Sequence, residues 1–172
     1  LEKIAKLLGK STTISKINCD TKRKTMPNAR DMVRLNINNR KVAEDLKKLG
    51  VVRNKSKILR YNGCVPEKYL SSFFRGLIDG DGCIWTGNKR IQIQLASASR
   101  LFINDLLLLK PQWFSVHQCR MTNKTNRKIC IIYNLYVKNG NEDRISFLRW
   151  IYKNKCDLYL RRKYAKVQDK IS

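Results

Sequence analysis

Residues 74–84, Phe74-Arg75-Gly76-Leu77-Ile78-Asp79-Gly80-Asp81-Gly82-Cys83-Ile84, run an apolar helix straight into two carboxylates. Leu70, Phe73, Phe74, Leu77 and Ile78 recur at helical spacing, which predicts a helix over about Glu67 to Asp79. Gly76 and Gly80 lie one turn apart on it, so its backbone can approach a partner helix closely. Where it runs out, free carbonyls and the negative end of the helix dipole join Asp79 and Asp81 in a place suited to a hard cation. Three readings compete for such a stretch. A calcium loop of EF-hand type needs an oxygen ligand at 83, Gly at 84 and Glu at 90, but Cys83, Ile84 and Arg90 stand there. An ordinary helix-to-strand turn also accounts for Asp-Gly-Asp-Gly. The setting, between a Gly-spaced apolar helix and a polar-faced strand in a strongly basic chain, favours the third, a metal site aimed at a phosphodiester.

The basic character is large. Among 172 residues, 37 Lys and Arg face 13 Asp and Glu, a formal net charge of +24 and a pI near 10.2. Such an excess is hard to keep compact without a polyanion or screening salt. It is spread along the chain in clusters such as Lys22-Arg23-Lys24, Lys89-Arg90, Arg127-Lys128 and Arg161-Arg162-Lys163, beside segments with strand or helix periodicity. That distribution suits a folded surface tracking a phosphate backbone, of DNA or RNA, with binding that falls steeply with salt. A 42% hydrophobic share is enough for one domain or two small repeats around a core, and the periodic apolar clusters argue against disorder. The apolar runs are too short to span a membrane as a helix, and no secretory signal opens the chain. Six cysteines never form Cys-x-x-Cys and there is one His, which excludes a zinc finger. Free thiols in a reducing compartment are expected, hence an intracellular location: cytoplasm, nucleoid or organelle.

Outward from the central stretch, strands are expected at Cys83–Thr86 and Arg90–Ser97 around the turn Gly87-Asn88-Lys89. A helix over Ser99 to Leu109 follows, then strands Phe114–Met121 and Lys128–Val137, then helices over Glu142 to Lys153 and Asp157 to Gln168. Upstream, helix 1–8, strand 12–18, strand 32–37 and helix 39–49 give the same order at an offset of ~100 residues, which indicates a duplicated α+β unit. Subtracting that offset places the first unit's counterpart of the signature helix before residue 1. The chain, which does not begin with Met, is therefore expected to hold one whole repeat and the rear of another.

Residues Phe74 to Gly82 resemble the signature of the LAGLIDADG homing endonucleases at its Gly, Leu, Ile, Asp, Asp and Gly positions. The resemblance extends to Asn54-Lys55-Ser56 and to Tyr159-Leu160-Arg161-Arg162-Lys163, and covers essentially the whole chain. It implies a duplicated αββαββα repeat of α+β class, with paired signature helices at the centre and antiparallel sheets forming a saddle in the DNA major groove. The rear of the first repeat is then 1–53, the inter-repeat linker 54–69 and the complete second repeat 70–172. The activity implied is site-specific hydrolysis of double-stranded DNA with Mg²⁺ or Mn²⁺. Upstream sequence or a partner chain would supply the missing first signature and its acid. Relatives of this fold that do not cut, intron-splicing maturases or transcription regulators, are the alternative, and intron RNA is then a possible partner. A basic ribosome-associated protein is a third possibility.

The resemblance makes Asp81 the metal ligand and catalytic acid, with the Gly80 carbonyl beside it, Asp79 orienting the turn, and Gly76 and Gly82 structural near the site. Lys163 and its first-repeat counterpart Lys55 would neutralise charge or polarise the water network. Strand alternation puts Ile84, Ile91, Ile93 and Leu95 under the sheet and leaves Trp85, Arg90, Gln92 and Gln94 on the open face, with Lys89 in the turn. Arg pairs with guanine and Gln with adenine, which favours base reading by this set over a merely solvated sheet face. Ser97 stands where the family has a polar residue near the active site. Arg23, Lys24, Arg34, Arg100, Arg120, Lys124, Arg127 and Lys128 are the further DNA contacts expected. His117 reads as a strand surface residue, since no metal partner is near it in sequence.

Overall fold

The helical and alternating periodicities become two units in a computed structural model, Leu1–Asp45 and Leu46–Ser172. The structure describes residues 1–9, 12–20, 31–63, 65–87, 90–122 and 129–172. The first unit contains α1 (Glu2–Leu8), a hairpin of β1 (Thr12–Ile17) and β2 (Met32–Ile37), and most of α2 (Arg40–Lys48). Thr12 pairs with Ile37 and Ile17 with Met32, so Val33, Leu35 and Ile37 share one face and Arg34 takes the other, opposite Ser15. No residue of α1 or α2 is buried; among the described residues of this unit only Cys19 is.

The second unit holds the central stretch. Helix α3 (Leu70–Gly80) follows a 3₁₀ turn at Glu67–Tyr69, then come β3 (Gly82–Gly87), β4 (Arg90–Ser97), α4 (Arg100–Leu109), β5 (Phe114–Thr122), β6 (Ile129–Val137) and α5 (Asn141–Tyr152). The four strands form one antiparallel sheet in the order β3-β4-β6-β5. Ile84 pairs with Ile93, and Leu95 with Leu135, so one face of the sheet is a continuous apolar layer. Phe74 and Ile78 of α3, Ile103 and Leu106 of α4, and Phe147 and Ile151 of α5 join that layer in one core. Helix spacing and strand alternation thus give the same inner face. Phe74 stacks on Phe114, with ring centroids 5.3 Å apart, and meets Phe147 edge-on at 6.3 Å.

The chain ahead of α3 is docked. Ser99, fully buried, caps α4 by accepting from the Phe102 N–H at 3.3 Å and donates its own hydroxyl to the Leu59 carbonyl at 2.7 Å. Arg60 grips Asp105 bidentately, at 2.7 and 2.9 Å, and the Tyr61 N–H donates to the same carboxylate at 3.0 Å. Leu59 and Tyr61 pack on the core, so the residues read as a linker form part of the second unit where they touch α4.

One expected element is corrected. The helix predicted over Asp157 to Gln168 is broken: α6 covers only Arg161–Tyr164 and α7 Gln168–Ile171. Before α6 the backbone is spent on distant partners, the Leu158 carbonyl accepting from Arg75 and the Leu160 N–H donating to Asp79. An N–H committed to a distant carboxylate cannot also complete a helical ladder.

Two outcomes follow. A Cβ on Gly82 would lie 2.7 Å from the Ile78 Cα and 2.8 Å from its carbonyl oxygen, whereas one on Gly76 would meet nothing within 4 Å. Gly82→Ala should therefore destabilise the chain by about 1–3 kcal/mol. Gly76→Ala should be neutral or stabilising by up to about 1 kcal/mol, as urea unfolding will measure. Second, the Arg60 guanidinium holds the Asp105 carboxyl below the usual carboxylate range. Its contribution is then fully present above its unfolded-state pKa and is lost as pH falls through the lower folded-state one. The stability difference between the parent and Asp105→Asn should be largest at neutral pH and shrink on acidification below about pH 4.

Candidate active site

Helix α3 ends at Asp81, whose N–H still bonds the Leu77 carbonyl at 3.0 Å, and the chain turns through Gly82 into β3. The contact over Ile78 leaves no room for any residue larger than glycine at 82, which explains the Gly of the motif. A helix ending here leaves carbonyls without intrahelical partners. Lys163 supplies them. Its ammonium donates to the carbonyls of Ile78 at 2.6 Å, Asp79 at 2.9 Å and Gly82 at 2.5 Å, and its side chain is only 4% exposed. Burial, together with the charge of Arg162, pulls this ammonium below the usual lysine range, while the charges of Asp79 and Asp81 act the other way. Lys166 adds a bond to the Ile84 carbonyl at 3.0 Å.

The two acids have different surroundings. Asp79 is half-buried and fully engaged: one oxygen accepts from the Tyr152 hydroxyl at 3.0 Å, the other from the Leu160 N–H at 2.9 Å. Burial first, then the charge of Asp79, push the Tyr152 hydroxyl above the usual phenol range, so it stays a donor. Asp81 is exposed and takes no hydrogen bond or ion pair to its side chain among the described residues. None of the three Lys163 bonds goes to the carbonyl of Gly80. Among the described residues, Gly80 and Asp81 therefore offer oxygen donors that no protein group takes up, at the negative end of a helix. Magnesium is commonly held by one or two carboxylates together with substrate phosphates, so this donor set fits a divalent cation shared with a phosphate. Among the described residues no group of three or more His, Cys, Asp or Glu could hold a metal without such help.

Arg75 was not among the expected site residues. It is 5% exposed and donates to the carbonyls of Ile151 at 2.9 Å, Asn154 at 3.2 Å and Leu158 at 3.2 Å. It ties α3 to the end of α5. The only signal in the sequence is a charged residue inside an apolar helical stripe. Lys55 lies exposed in a short 3₁₀ turn, Lys55–Lys57, and among the described residues no hydrogen bond or ion pair ties it to the acid turn.

The open face of the sheet carries Trp85, Gln92 and Gln94, with Trp85 opposite Gln92 and Gln94 opposite Tyr136. Trp85 is 49% exposed, and its ring lies over Gly87, where an added Cβ would come within 2.7 Å of it. Tyr136 faces Ser115, and His117, on the same face, meets the Tyr136 ring edge-on with centroids 5.3 Å apart. A groove of about 560 Å³ runs here, lined by Gln92, Ser115, His117, Tyr136, Lys138 and Arg144 among others, and no carboxylate lines it. Sequence reasoning missed Tyr136, Lys138 and Arg144. Alternation from buried Val137 places Tyr136 outward and was the available signal.

The other expected contacts are scattered. Arg90 and Arg100 are exposed, at the start of β4 and of α4. Ser97 lies two residues past the Leu95–Gly82 pair, alongside the acid turn, and its hydroxyl accepts from the Ser99 N–H at 3.1 Å. Arg120 is exposed but is not brought together with Gln92. It pairs with Ile131, three residues from His117, and a period of two puts it on the opposite face. Arg34 belongs to the first unit, exposed on β2. Arg23, Lys24, Lys89, Lys124, Arg127 and Lys128 lie outside the described residues.

Tyr152→Phe deletes one bond to a carboxylate and should cost about 1.5–3 kcal/mol. Combined with Asp79→Asn it should cost less than the sum of the two, a coupling that a double-mutant cycle in urea resolves.

No curated protein matches the chain in a sequence comparison. A family model described as a LAGLIDADG-like domain matches residues 68–151, from just ahead of α3 to the last turn of α5. Those residues hold the acid turn and the whole four-stranded sheet, and this stretch of the chain is a LAGLIDADG-like domain.

Proposed function

We propose that the chain is a DNA-cleaving member of its family, an endonuclease that hydrolyses phosphodiester bonds in double-stranded DNA with Mg²⁺ or Mn²⁺. One observation carries this reading: Asp81 is exposed and, among the described residues, unpaired, while the residues around it are held by bonds to distant parts of the chain. A carboxylate kept free where its neighbours are tied down suits contact with something from outside. The cation, held by Asp81 and the Gly80 carbonyl, would activate water and stabilise the leaving oxygen. Asp79 keeps its charge turned inward, toward Tyr152 and Leu160, and so orients the turn instead of competing for the cation. The open sheet face, with its groove free of carboxylates and its outward Gln92 and Gln94, would lie against the bases, and the net charge of +24 would supply the attraction to phosphate.

A second reading, binding without cleavage as in maturases or regulators, is favoured by one observation. Among the described residues no third acid, His or Cys completes the site. Incubation with a random-site plasmid library in Mg²⁺ or Mn²⁺, followed by sequencing of the ends, separates the two. Cutting or nicking at a recurrent sequence is the expected result; salt-sensitive binding without any strand break would favour the second. Asp81→Asn should lower cleavage by about 10²-fold or more while leaving the salt dependence of DNA binding in place. Unchanged cleavage in that variant would remove Asp81 from the role.

A further inference from the structure

We infer that Lys163 is a positioning residue, its ammonium serving as a built-in cation in a cage of three backbone carbonyls that fixes the turn carrying Asp81. An ammonium has three N–H donors and no acceptor. Here three carbonyl oxygens, of Ile78, Asp79 and Gly82, lie at 2.6, 2.9 and 2.5 Å. No donor is left for a phosphate or a water, and at 4% exposure the side chain has no open path to one. The neighbouring Arg161 and Arg162 are exposed, so of three consecutive basic residues only this one turns inward.

The geometry explains how the effect reaches the acid without contact. The cage grips the backbone at 79 and again at 82, and the Asp79 carboxylate is tied separately to Tyr152 and Leu160. Asp81 lies between the two grips. The ammonium takes the carbonyls on either side, and among the described residues the oxygens of Gly80 and Asp81 are left free. Without the ammonium, three carbonyls lose their partner in a half-buried place, and the turn must move to find others.

That this turn presents the acid of a nuclease rests on the preceding reading; the cage itself does not. Two kinds of measurement keep them apart. In the intact wild-type chain, one lysine ammonium should give a slowly exchanging ¹H–¹⁵N NMR signal near neutral pH, with hydrogen-bond couplings to the carbonyls of 78, 79 and 82. Lys163→Met retains an apolar stem without the donors and should erase that signal, which assigns it. Amide hydrogen exchange over residues 78–84 should rise in the variant.

On the functional side, Lys163→Met should lower cleavage by about 10²-fold. The affinity for DNA and its salt slope should stay as in the parent, because no phosphate contact has been removed. Lys163→Ala should recover protection and cleavage with propylammonium chloride but not with tetramethylammonium chloride at equal ionic strength, since only the first has N–H donors. A fast-exchanging Lys163 ammonium in the wild-type chain would overturn the inference whether or not any variant folds. So would unchanged exchange at 78–84 in Lys163→Met, or a salt slope reduced by about one unit, the mark of a lost phosphate contact. If the wild-type chain cuts no DNA, the spectrum and the exchange data still decide on the cage, and only the nuclease reading falls.

Discussion

A helix that stops inside a protein leaves carbonyl groups pointing at nothing, and each must find a donor. The region around the acid turn is organised by that requirement, met twice in reciprocal fashion. Helix α3 ends at the turn, and its last carbonyls are taken by Lys163, from the chain that follows α5. Helix α5 ends beside α3, and the carbonyls of Ile151 and Asn154 are taken by Arg75, from α3. Each helix thus has the negative end of its dipole faced by a cation from the other's side of the structure. Both cations are buried, among the described residues no carboxylate is hydrogen-bonded to either, and backbone oxygens serve in place of a counter-ion. Their orientation is set by several bonds at once, which makes the turn between them rigid on geometric grounds.

The sheet obeys a simpler rule. A period of two along β3 and β4 sends Ile84, Ile91, Ile93 and Leu95 into the core and Trp85, Gln92 and Gln94 outward. Cross-strand pairing carries the outward row over to Tyr136, Ser115 and His117, so four strands contribute to one polar face. The helices cover the other face, and the acid turn lies where β3 begins. One compact layer thus joins the polar face to the carboxylate.

Much of this was legible because it depends on spacing. Helix α3, both hairpins and α5 are set by apolar residues at intervals that only one kind of secondary structure satisfies. The inward and outward sets of β3 and β4 follow from the same arithmetic, and the position of the free acid from a motif in which glycines flank it. The segment after residue 156 was not legible, since its helical pattern is real but its backbone is engaged by α3. Arg75, Tyr152 and the cage around Lys163 escaped notice for a related reason. Their partners are mostly main-chain atoms more than seventy residues away, and a carbonyl has no letter in the sequence. Arg120 shows the opposite case: its charge suggested a contact, and parity along β5 decides against its sharing the polar face.

The anchors of the acid turn all come from residues 152–163, far downstream of the motif they hold. During translation the ribosome therefore releases Asp79-Gly80-Asp81-Gly82 long before Tyr152, Leu160 and Lys163 emerge. A nascent chain at that stage carries the motif but lacks what shapes it. The turn takes its final form only when the tail of the domain arrives, so the order of synthesis itself sets when Asp81 is presented.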